Sequence, residues 1–420
     1  MSADAKHKIR TLWLVGALHA FTHVYHVALL PLYLLIQRDF GFNSVGQATA
    51  LVTVMMLAYF LPSYPLGVLA DRMSRKKLLG WGLAINGLGF VALSFSPNYW
   101  CAVASVILAG IGGSSFHPAA TAMVARLFPV GTGKALGLIG VGASLGFFAG
   151  PLFSGWRAAA LEPAWGAAAW REPVLELGLI GILAAGLFAL LADEEQPSQP
   201  IASHAKANVT IFPTTTLWLW FGAAAFLFSL RDFAGASMGT LSSLFLQKAH
   251  GYDTKLAGLA LSVLFIASVV SNPLFGHLSD SGRKRWTAFV TTTAALLIVL
   301  FPHLPARWLV PCLAAYGFFF MSNYPMVEAE LMQSVPDAVR GRVFGLFITL
   351  GGLVGNLSHW IAGAQVKRMG DAASAVSSYY PLYSAFAALA LVSLAGLACL
   401  HAIRKREHLT AERIVEPSNH

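Results

Sequence analysis

The stretch GVLADRMSRKK, residues 67 to 77, ends one long apolar run and precedes the next. A similar stretch, GHLSDSGRKR, residues 276 to 285, does the same in the second half of the chain. Another matching pair, LLIQRDFGFN (34–43) and LFLQKAHGYD (244–253), lies about 210 residues apart. This repeating unit is far longer than the repeating unit of a solenoid protein. The two halves are therefore predicted to be copies of one unit.

The composition is that of a membrane protein. Of 420 residues 56% are hydrophobic and 11% charged, with a mean hydropathy of +0.64, whereas a soluble domain carries about 25% charged residues. A helix needs about 20 apolar residues to cross a hydrocarbon core about 30 Å thick. Twelve runs qualify, and we number them as spans 1 to 12: 11–36, 45–69, 78–95, 100–126, 134–158, 173–192, 216–247, 255–276, 286–303, 307–332, 341–366 and 379–403.

The basic residues predict the orientation. Most of the 28 Lys and Arg residues fall in the tails and in the loops after even-numbered spans, so the positive-inside rule places both termini in the cytoplasm. The net charge of +9 does not indicate a nucleic-acid partner, because basic clusters at span ends are typical of contact with anionic lipid headgroups. The three cysteines show neither disulfide nor metal-site spacing.

One polar stretch divides the spans six from six. It reads ADEEQPSQPIASHAKANVTIFP, residues 192–213, and has the composition of a linker. The predicted organisation is an N-terminal unit (1–192), a cytoplasmic linker (193–215), a C-terminal unit (216–403) and a cytoplasmic tail (404–420).

The loop after span 2 resembles the signature loop of the major facilitator superfamily. The matching residues are Gly67, Asp71, Arg72, Arg75, Lys76 and Lys77, and the second copy retains Gly276, Asp280, Arg283, Lys284 and Arg285. The resemblance implies an all-α integral membrane fold of twelve transmembrane helices in two pseudo-symmetric six-helix bundles. It also implies a central cavity lined by spans 1, 4, 7 and 10, with the loop residues Gly67, Asp71, Arg72, Arg75, Asp280 and Arg283 as gating residues.

Span 5 carries a glycine pattern, GLIGVGASLGFFAGPLFSG (137–155). Gly146, Gly150 and Pro151 stand in a spacing similar to the motif of drug and proton antiporters, which implies a gating role. Close packing of helices through glycine explains the same pattern, and both interpretations stay open.

Three further stretches resemble the fosmidomycin resistance exporters within the superfamily. They are GIGGSSFHPAATAMVARLF (110–128), LRDFAG (230–235) and the pattern of His19, His23 and Tyr25. This chain departs from that group at His23 and at Ala119, where the group usually has acidic residues.

Three histidines interrupt the apolar span 1. At 100° per residue His19, His23 and His26 fall within an arc of about 60°, and such a face should point to protein or water rather than lipid. Histidine titrates near neutral pH, so these residues are candidate proton carriers. Ligands on one straight helix rarely close a tetrahedron around an ion, and we predict no metal site and no cofactor.

Span 7 carries Arg231 and Asp232 at its centre, where an ion costs about 2.5–3.5 kcal/mol to insert. Adjacent residues point about 100° apart, so we expect poor mutual neutralisation. Arg231 is a candidate clamp for an anionic substrate group. Other predicted substrate or proton residues are Tyr25, His117, Asn323, Tyr324, Glu328, Asn356 and His359.

The sequence therefore predicts a carrier rather than an enzyme, since no HExxH stretch occurs and the histidines of span 1 alone rarely close a metal site. The favoured function is proton-coupled efflux of a small anionic or amphipathic compound by alternating access. Uptake of a small organic anion with protons and transport of a metal ion remain alternatives. We expect a monomer in a bacterial-type inner membrane, whose partners are its substrate, protons and lipid.

Overall fold

The computed structural model describes residues 3–70, 73–128, 132–193, 211–335 and 339–415, and these ranges are almost entirely helical. We call the face that carries residue 3 the inner face, following the orientation predicted above. Spans 1 to 6 form one bundle and spans 7 to 12 a second, pseudo-symmetric with it. The chain is thus an all-α membrane protein of twelve spans.

The helices of the first bundle follow the predicted spans. They are Ala3–Val27 and Tyr33–Asp39 in span 1, Val45–Phe60 and Ser63–Ala70 in span 2, Arg75–Ser94 in span 3, Tyr99–Ser114 and Phe116–Leu127 in span 4, Thr132–Trp165 in span 5, and Arg171–Leu191 in span 6.

The second bundle repeats this arrangement. Its helices are Thr215–Lys248 in span 7, Thr254–Ile266 and Ser268–Ser279 in span 8, Arg283–Leu300 in span 9, Ala306–Met321 and Asn323–Gln333 in span 10, Arg340–Met369 in span 11, and Tyr380–Val392 and Ala395–Val415 in span 12. The last helix continues to Val415, beyond the predicted start of the tail at residue 404.

Among the described residues, nine ranges are by themselves long and apolar enough to cross a membrane. One of them, 135–191, contains both span 5 and span 6. The shorter apolar helix Val45–Phe60 belongs to span 2, whose helix is interrupted at residues 61–62. Span 10 is likewise divided at Ser322 into two helices, each shorter than a full span. The nine ranges are therefore compatible with twelve crossings.

Prolines set the breaks within spans 4 and 10. Span 4 divides at Ser115 and span 10 at Ser322, in each case three residues before a proline, Pro118 or Pro325. A proline donates no backbone hydrogen bond and its ring crowds the preceding turn, which bends the helix there. The first of these bends places His117 directly beside the break.

The two bundles contact each other in the outer half and at mid-depth. Span 1 meets span 7, span 2 meets span 11, and span 5 meets span 8. The side-chain hydrogen bonds that join the bundles include Tyr33 with Thr240 (3.1 Å), Ser243 with Leu30 O (2.6 Å), Thr53 with Asn356 O (2.9 Å) and Ser144 with Ser268 (3.2 Å).

The glycines of span 5 lie directly against the backbone of span 1. A Cβ atom on Gly142 would stand 2.1 Å from Gly16 O, and one on Gly146 would stand 2.0 Å from Ala20 O. Gly150 packs in the same way against Val24. Because no side chain fits between them, these glycines fix the position of the histidine-bearing face of span 1.

The other face of span 5 forms the contact with span 8. A Cβ on Gly258 would approach Pro151 O to 2.3 Å, and Gly155 also contacts Gly258. Span 5 therefore packs between span 1, which carries His19, His23 and His26, and span 8 of the second bundle. These distances show that the glycine pattern allows close packing of helices. A gating role for Gly146, Gly150 and Pro151 remains a proposal.

An ionic contact that the sequence did not predict lies at the outer end of the first bundle. Arg171 donates to Asp39 Oδ2 at 2.7 Å and to the carbonyl oxygens of Ser94 and Ser96 at 2.9 Å each. Carbonyls at a helix end lack partners in their own helix and favour a cation. Arg171 therefore ties together the outer ends of spans 1, 3 and 6.

We expect Gly146→Ala to destabilise the protein, because its new methyl group would overlap Ala20 O and force the two helices apart, at a cost of about 1–3 kcal/mol. Gly140→Ala is the matched control on the same helix, since a Cβ there meets nothing within 4 Å. Thermal unfolding of the purified proteins in detergent should show a lower midpoint for Gly146→Ala only. Equal midpoints would contradict the close packing of spans 1 and 5.

Candidate functional site

Four histidines from spans 1 and 4 meet at mid-depth. His19 Nε2 lies 3.1 Å from His23 Nε2, and the ring of His26 is 5.0 Å from that of His23. The ring of His117 is 5.3 Å from His19 and 5.9 Å from His23. Because His19 and His23 are only 8% and 9% exposed, this face points into protein and away from lipid. We call these four residues the histidine cluster.

Aromatic rings form the walls of the histidine cluster. Phe116 stacks on His19 at 4.6 Å, and Phe147 of span 5 lies 4.1 Å from His23. Phe147 in turn stacks on Phe265 of span 8 at 5.0 Å. The cluster is thereby connected to the boundary between the two bundles.

Two ring nitrogens of the cluster lack a hydrogen-bond partner among the described residues. They are His23 Nδ1 and His26 Nε2, and both are buried. The edge of His26 faces the ring of Tyr59 at 4.5 Å, and His359 of span 11 is close enough to interact with it electrostatically. A buried polar atom without a partner is costly, so these nitrogens are suited to bind a proton or a ligand.

The structure places Tyr25 outside the histidine cluster. Its hydroxyl donates to Leu177 O of span 6 at 3.0 Å, and its ring packs on Phe90 of span 3 at 4.3 Å. Tyr25 is fully buried on the opposite side of span 1. We therefore do not include it in the proposed binding site.

The expectation that Arg231 and Asp232 neutralise each other poorly is wrong. Arg231 donates from Nε and from one terminal nitrogen to Asp232 Oδ1, at 3.0 and 2.7 Å. The Cβ vectors do diverge, but the arginine side chain is long enough to fold back onto its neighbour. Asp232 itself packs against Gly351 and Gly355 of span 11, where a Cβ would stand 2.6 or 2.8 Å from its side chain.

Span 10 completes the surroundings of Arg231. The other terminal nitrogen of Arg231 donates to Asn323 Oδ1 at 2.8 Å. The side-chain nitrogen of Asn323 in turn donates to Thr291 Oγ1 of span 9. The ring of Tyr324 lies 4.2 Å from the guanidinium carbon, a cation–π contact. We call Arg231, Asp232, Asn323 and Tyr324 the arginine site. Spans 7 and 10 thus converge here as predicted.

The two acidic residues of span 10 differ in their surroundings. Glu328 lies one turn beyond Tyr324, within electrostatic range of Arg231. Glu330 is 2% exposed and pairs with Arg404 of span 12 and, at 3.9 Å, with Arg283 of span 9. This second group closes the inner end of the C-terminal bundle, and the sequence pattern gave no sign that Arg404 belongs to it.

Asn356 and His359 belong to a hydrogen-bonded chain near the outer closure. His359 lies 2.6 Å from Thr240 through Nδ1 and 3.2 Å from Asn356 Oδ1 through Nε2. Thr240 also contacts Tyr33, while the Asn356 carbonyl accepts from Thr53. The two predicted residues therefore belong to a chain of contacts that joins spans 1, 2, 7 and 11 at the boundary between the bundles.

The predicted gating loops are only partly described. Asp71 and Arg72 lie outside the described residues. Gly67 lies in the last helix of span 2, and Arg75 begins span 3 with 7% of its surface exposed. In the second copy Asp280 lies 3.6 Å from Arg283, the residue that also faces Glu330.

Comparison with known proteins agrees with this architecture. The chain is 25% identical to the class H tetracycline resistance protein of Pasteurella multocida, over 69% of this chain and 72% of that protein. It is 27% identical to the multi-drug resistance efflux pump PmrA of Streptococcus pneumoniae, over 73% and 76%. A crystal structure of a bacterial homolog of the human lysosomal transporter Spinster, inward-facing and unoccupied, superposes with a TM-score of 0.70 at 16% identity, covering 96% of both chains.

Residues 12–358 match the family described as the Major Facilitator Superfamily. The match covers most of the chain and both copies of the signature loop. It agrees with the two-bundle architecture. This protein is a membrane transporter, and it belongs to the Major Facilitator Superfamily.

Proposed function

We propose that this protein exports a small anionic or amphipathic compound in exchange for protons, by alternating access across a bacterial-type inner membrane. In this proposal both termini are cytoplasmic and the protein works as a monomer. The narrower likeness to fosmidomycin resistance exporters, carried by residues 110–128, residues 230–235 and the pattern of His19, His23 and Tyr25, makes phosphonates one class of substrate to test.

The observation that carries the proposal is the burial of Arg231 at the centre of a span. It is 2% exposed, and a charge at this depth costs about 2.5–3.5 kcal/mol to insert. The hydrogen bonds described above use three of the five N–H groups of a guanidinium. The remaining donors are of the kind that bind a carboxylate or phosphonate through two parallel hydrogen bonds.

The histidine cluster supplies a reason for exchange rather than co-transport. A neutral imidazole nitrogen accepts a hydrogen bond through its lone pair, and the same lone pair takes up a proton. A substrate hydroxyl or amine that donates to His23 or His26 would therefore be displaced when that nitrogen is protonated. Competition between substrate and proton for one site is the condition for antiport.

The groups around the histidine cluster determine how it would titrate. His23 faces His19, His26 and His117, and His26 also faces Tyr59 of span 2 and His359 of span 11. Among these described neighbours only histidines can become cationic, so protonation of one opposes protonation of the next. The cluster would then carry few protons at a time.

The relatives support export as the direction. The two relatives compared above are a tetracycline resistance protein and a multi-drug resistance efflux pump. Removal of a toxic compound is the transport direction that produces resistance. Because one of these relatives is a tetracycline resistance protein, tetracycline serves as the first probe of transport.

A second function, uptake of a small organic anion with protons, is favoured by the pairing of Arg231 with Asp232. Protonation of Asp232 would weaken that ion pair and release Arg231 for an anion. Proton and substrate would then bind together, which is the requirement for symport.

Inside-out vesicles distinguish the two directions. Vesicles from cells that express the chain are acidified inside, and tetracycline, fosmidomycin and small organic acids are added outside one at a time. An exporter accumulates its substrate and releases protons from the lumen. Accumulation only in right-side-out vesicles with an acidic exterior would instead support uptake. Vesicles without the chain are the control.

We expect His23→Gln to uncouple transport from protons. A coupling free energy of about 1–3 kcal/mol corresponds to a loss of about 5- to 150-fold in gradient-driven accumulation. His303→Gln is the matched control, because His303 packs against the ring of Tyr380 near the outer face, away from the histidine cluster. Accumulation by His23→Gln with the pH dependence of the unmodified protein would remove His23 from the proton path.

We expect Arg231→Gln alone to destabilise the protein by about 3–5 kcal/mol, because Asp232 is left unpaired at mid-depth. The double variant Arg231→Gln/Asp232→Asn removes both charges, and we expect it to recover stability without recovering transport. Thermal unfolding and vesicle accumulation measure the two effects separately. The control pair Arg157→Gln/Glu176→Gln removes an ion pair between spans 5 and 6 and should leave transport intact. Transport by the Arg231 double variant at the unmodified rate would contradict the clamp.

A further inference from the structure

The histidine cluster has the geometry of a metal site, which the sequence did not predict. The ligand atoms of His19, His23 and His117 all lie within 4.8 Å of one another. The histidines of span 1 lie on one helix and alone rarely surround an ion, which is why the sequence predicted no metal site. The bend of span 4 at Ser115 brings His117 in from a second helix, which removes that objection.

The closest pair of nitrogens is spaced as two ligands of one ion would be. His19 Nε2 and His23 Nε2 are 3.1 Å apart. In a tetrahedral zinc site each nitrogen lies about 2.0–2.1 Å from the ion, which puts two nitrogens about 3.3 Å apart. The two rings therefore need only a small adjustment to bind one ion.

A backbone contact sets the tautomer of His19. Its Nδ1 lies 2.8 Å from the carbonyl oxygen of Ile139 in span 5. A carbonyl only accepts, so Nδ1 carries the hydrogen and the neutral ring presents the lone pair of Nε2 toward His23. Metal-binding histidines are oriented in the same way by a second hydrogen bond.

An independent observation points to a missing ligand. His23 Nδ1 and His26 Nε2 are buried without a hydrogen-bond partner among the described residues. His23 is also flanked by three other imidazoles. An ion bound by Nε2 of His19 and Nε2 of His23 lies on the other side of the His23 ring from Nδ1, which then carries the hydrogen. His26 Nε2 is the buried nitrogen that is placed to contact the ion through a water.

The donor set indicates the class of ion. Imidazole nitrogen suits Zn²⁺, Cu²⁺, Ni²⁺ and Co²⁺, whereas Mg²⁺ and Ca²⁺ prefer oxygen ligands. We propose that His19, His23 and His117 bind one divalent first-row transition metal ion, with Zn²⁺ as the reference case. The ion would tie span 1 to span 4 and would bind His23, a residue to which the proposed function also assigns a proton.

Direct binding of Zn²⁺ tests the site. The full-length protein, purified through a tag without histidine, is dialysed against buffered free Zn²⁺, and its metal content is measured. We expect about one ion per chain and an X-ray absorption spectrum with three imidazole ligands. His117→Gln should weaken binding by about 100-fold or more, since loss of a residue that only orients a ligand already costs about 10–100-fold. His303→Gln should bind as the unmodified protein does.

Two results would overturn the proposal: no zinc retained by the unmodified protein, or equal binding by His117→Gln and His303→Gln. Thermal unfolding without metal confirms that the variants are folded, and His19→Gln provides a second test if His117→Gln is unstable. The assay contains no transport substrate, so its failure would leave the proposed export function standing. Failure of export would equally leave the metal site in place.

Discussion

The structure depends on how ionisable side chains are accommodated at the middle of a bilayer. Arg231 could not remain there facing lipid, and it is instead surrounded by Asp232, Asn323 and the ring of Tyr324. The histidines of span 1 face span 4 in the same way. Each bundle thus holds one polar group at mid-depth. The fold places these groups on pseudo-equivalent helices, and this pairing underlies the proposed transport mechanism.

Close packing fixes these groups relative to the boundary between the bundles. Span 5 contacts span 1 through Gly146 and span 8 through Gly155, so a shift of span 8 acts directly on the helix beside His19 and His23. Near the outer closure the chain from Tyr33 through Thr240 to His359 crosses the same boundary. Opening the outer side would have to break these hydrogen bonds.

Spacing and composition predicted the features that depend on local sequence. The spans and the repeat followed from hydropathy and sequence spacing, whereas the convergence of Arg231 with Tyr324 followed from the family resemblance, which implies that spans 7 and 10 line one cavity. Features set by side-chain reach or by bends did not follow. Arg231 folds back onto Asp232, and Tyr25 turns toward Leu177. The entry of His117 into the histidine cluster depends on a proline bend, and the pairing of Glu330 with Arg404 joins residues that no motif connects.

The central claim is that water reaches the mid-depth face of span 7 and that lipid does not. Ala236 lies one turn from Asp232 and one turn from Thr240 on that face, while Phe226 is 58% exposed on the outside of the same helix. After replacement of Cys101, Cys312 and Cys399, the variants Ala236→Cys and Phe226→Cys are treated with a water-soluble maleimide in membranes. Because the thiolate reacts and forms only where water is present, Ala236→Cys should be labelled while Phe226→Cys stays unmodified. Equal resistance of both cysteines to labelling would contradict the account.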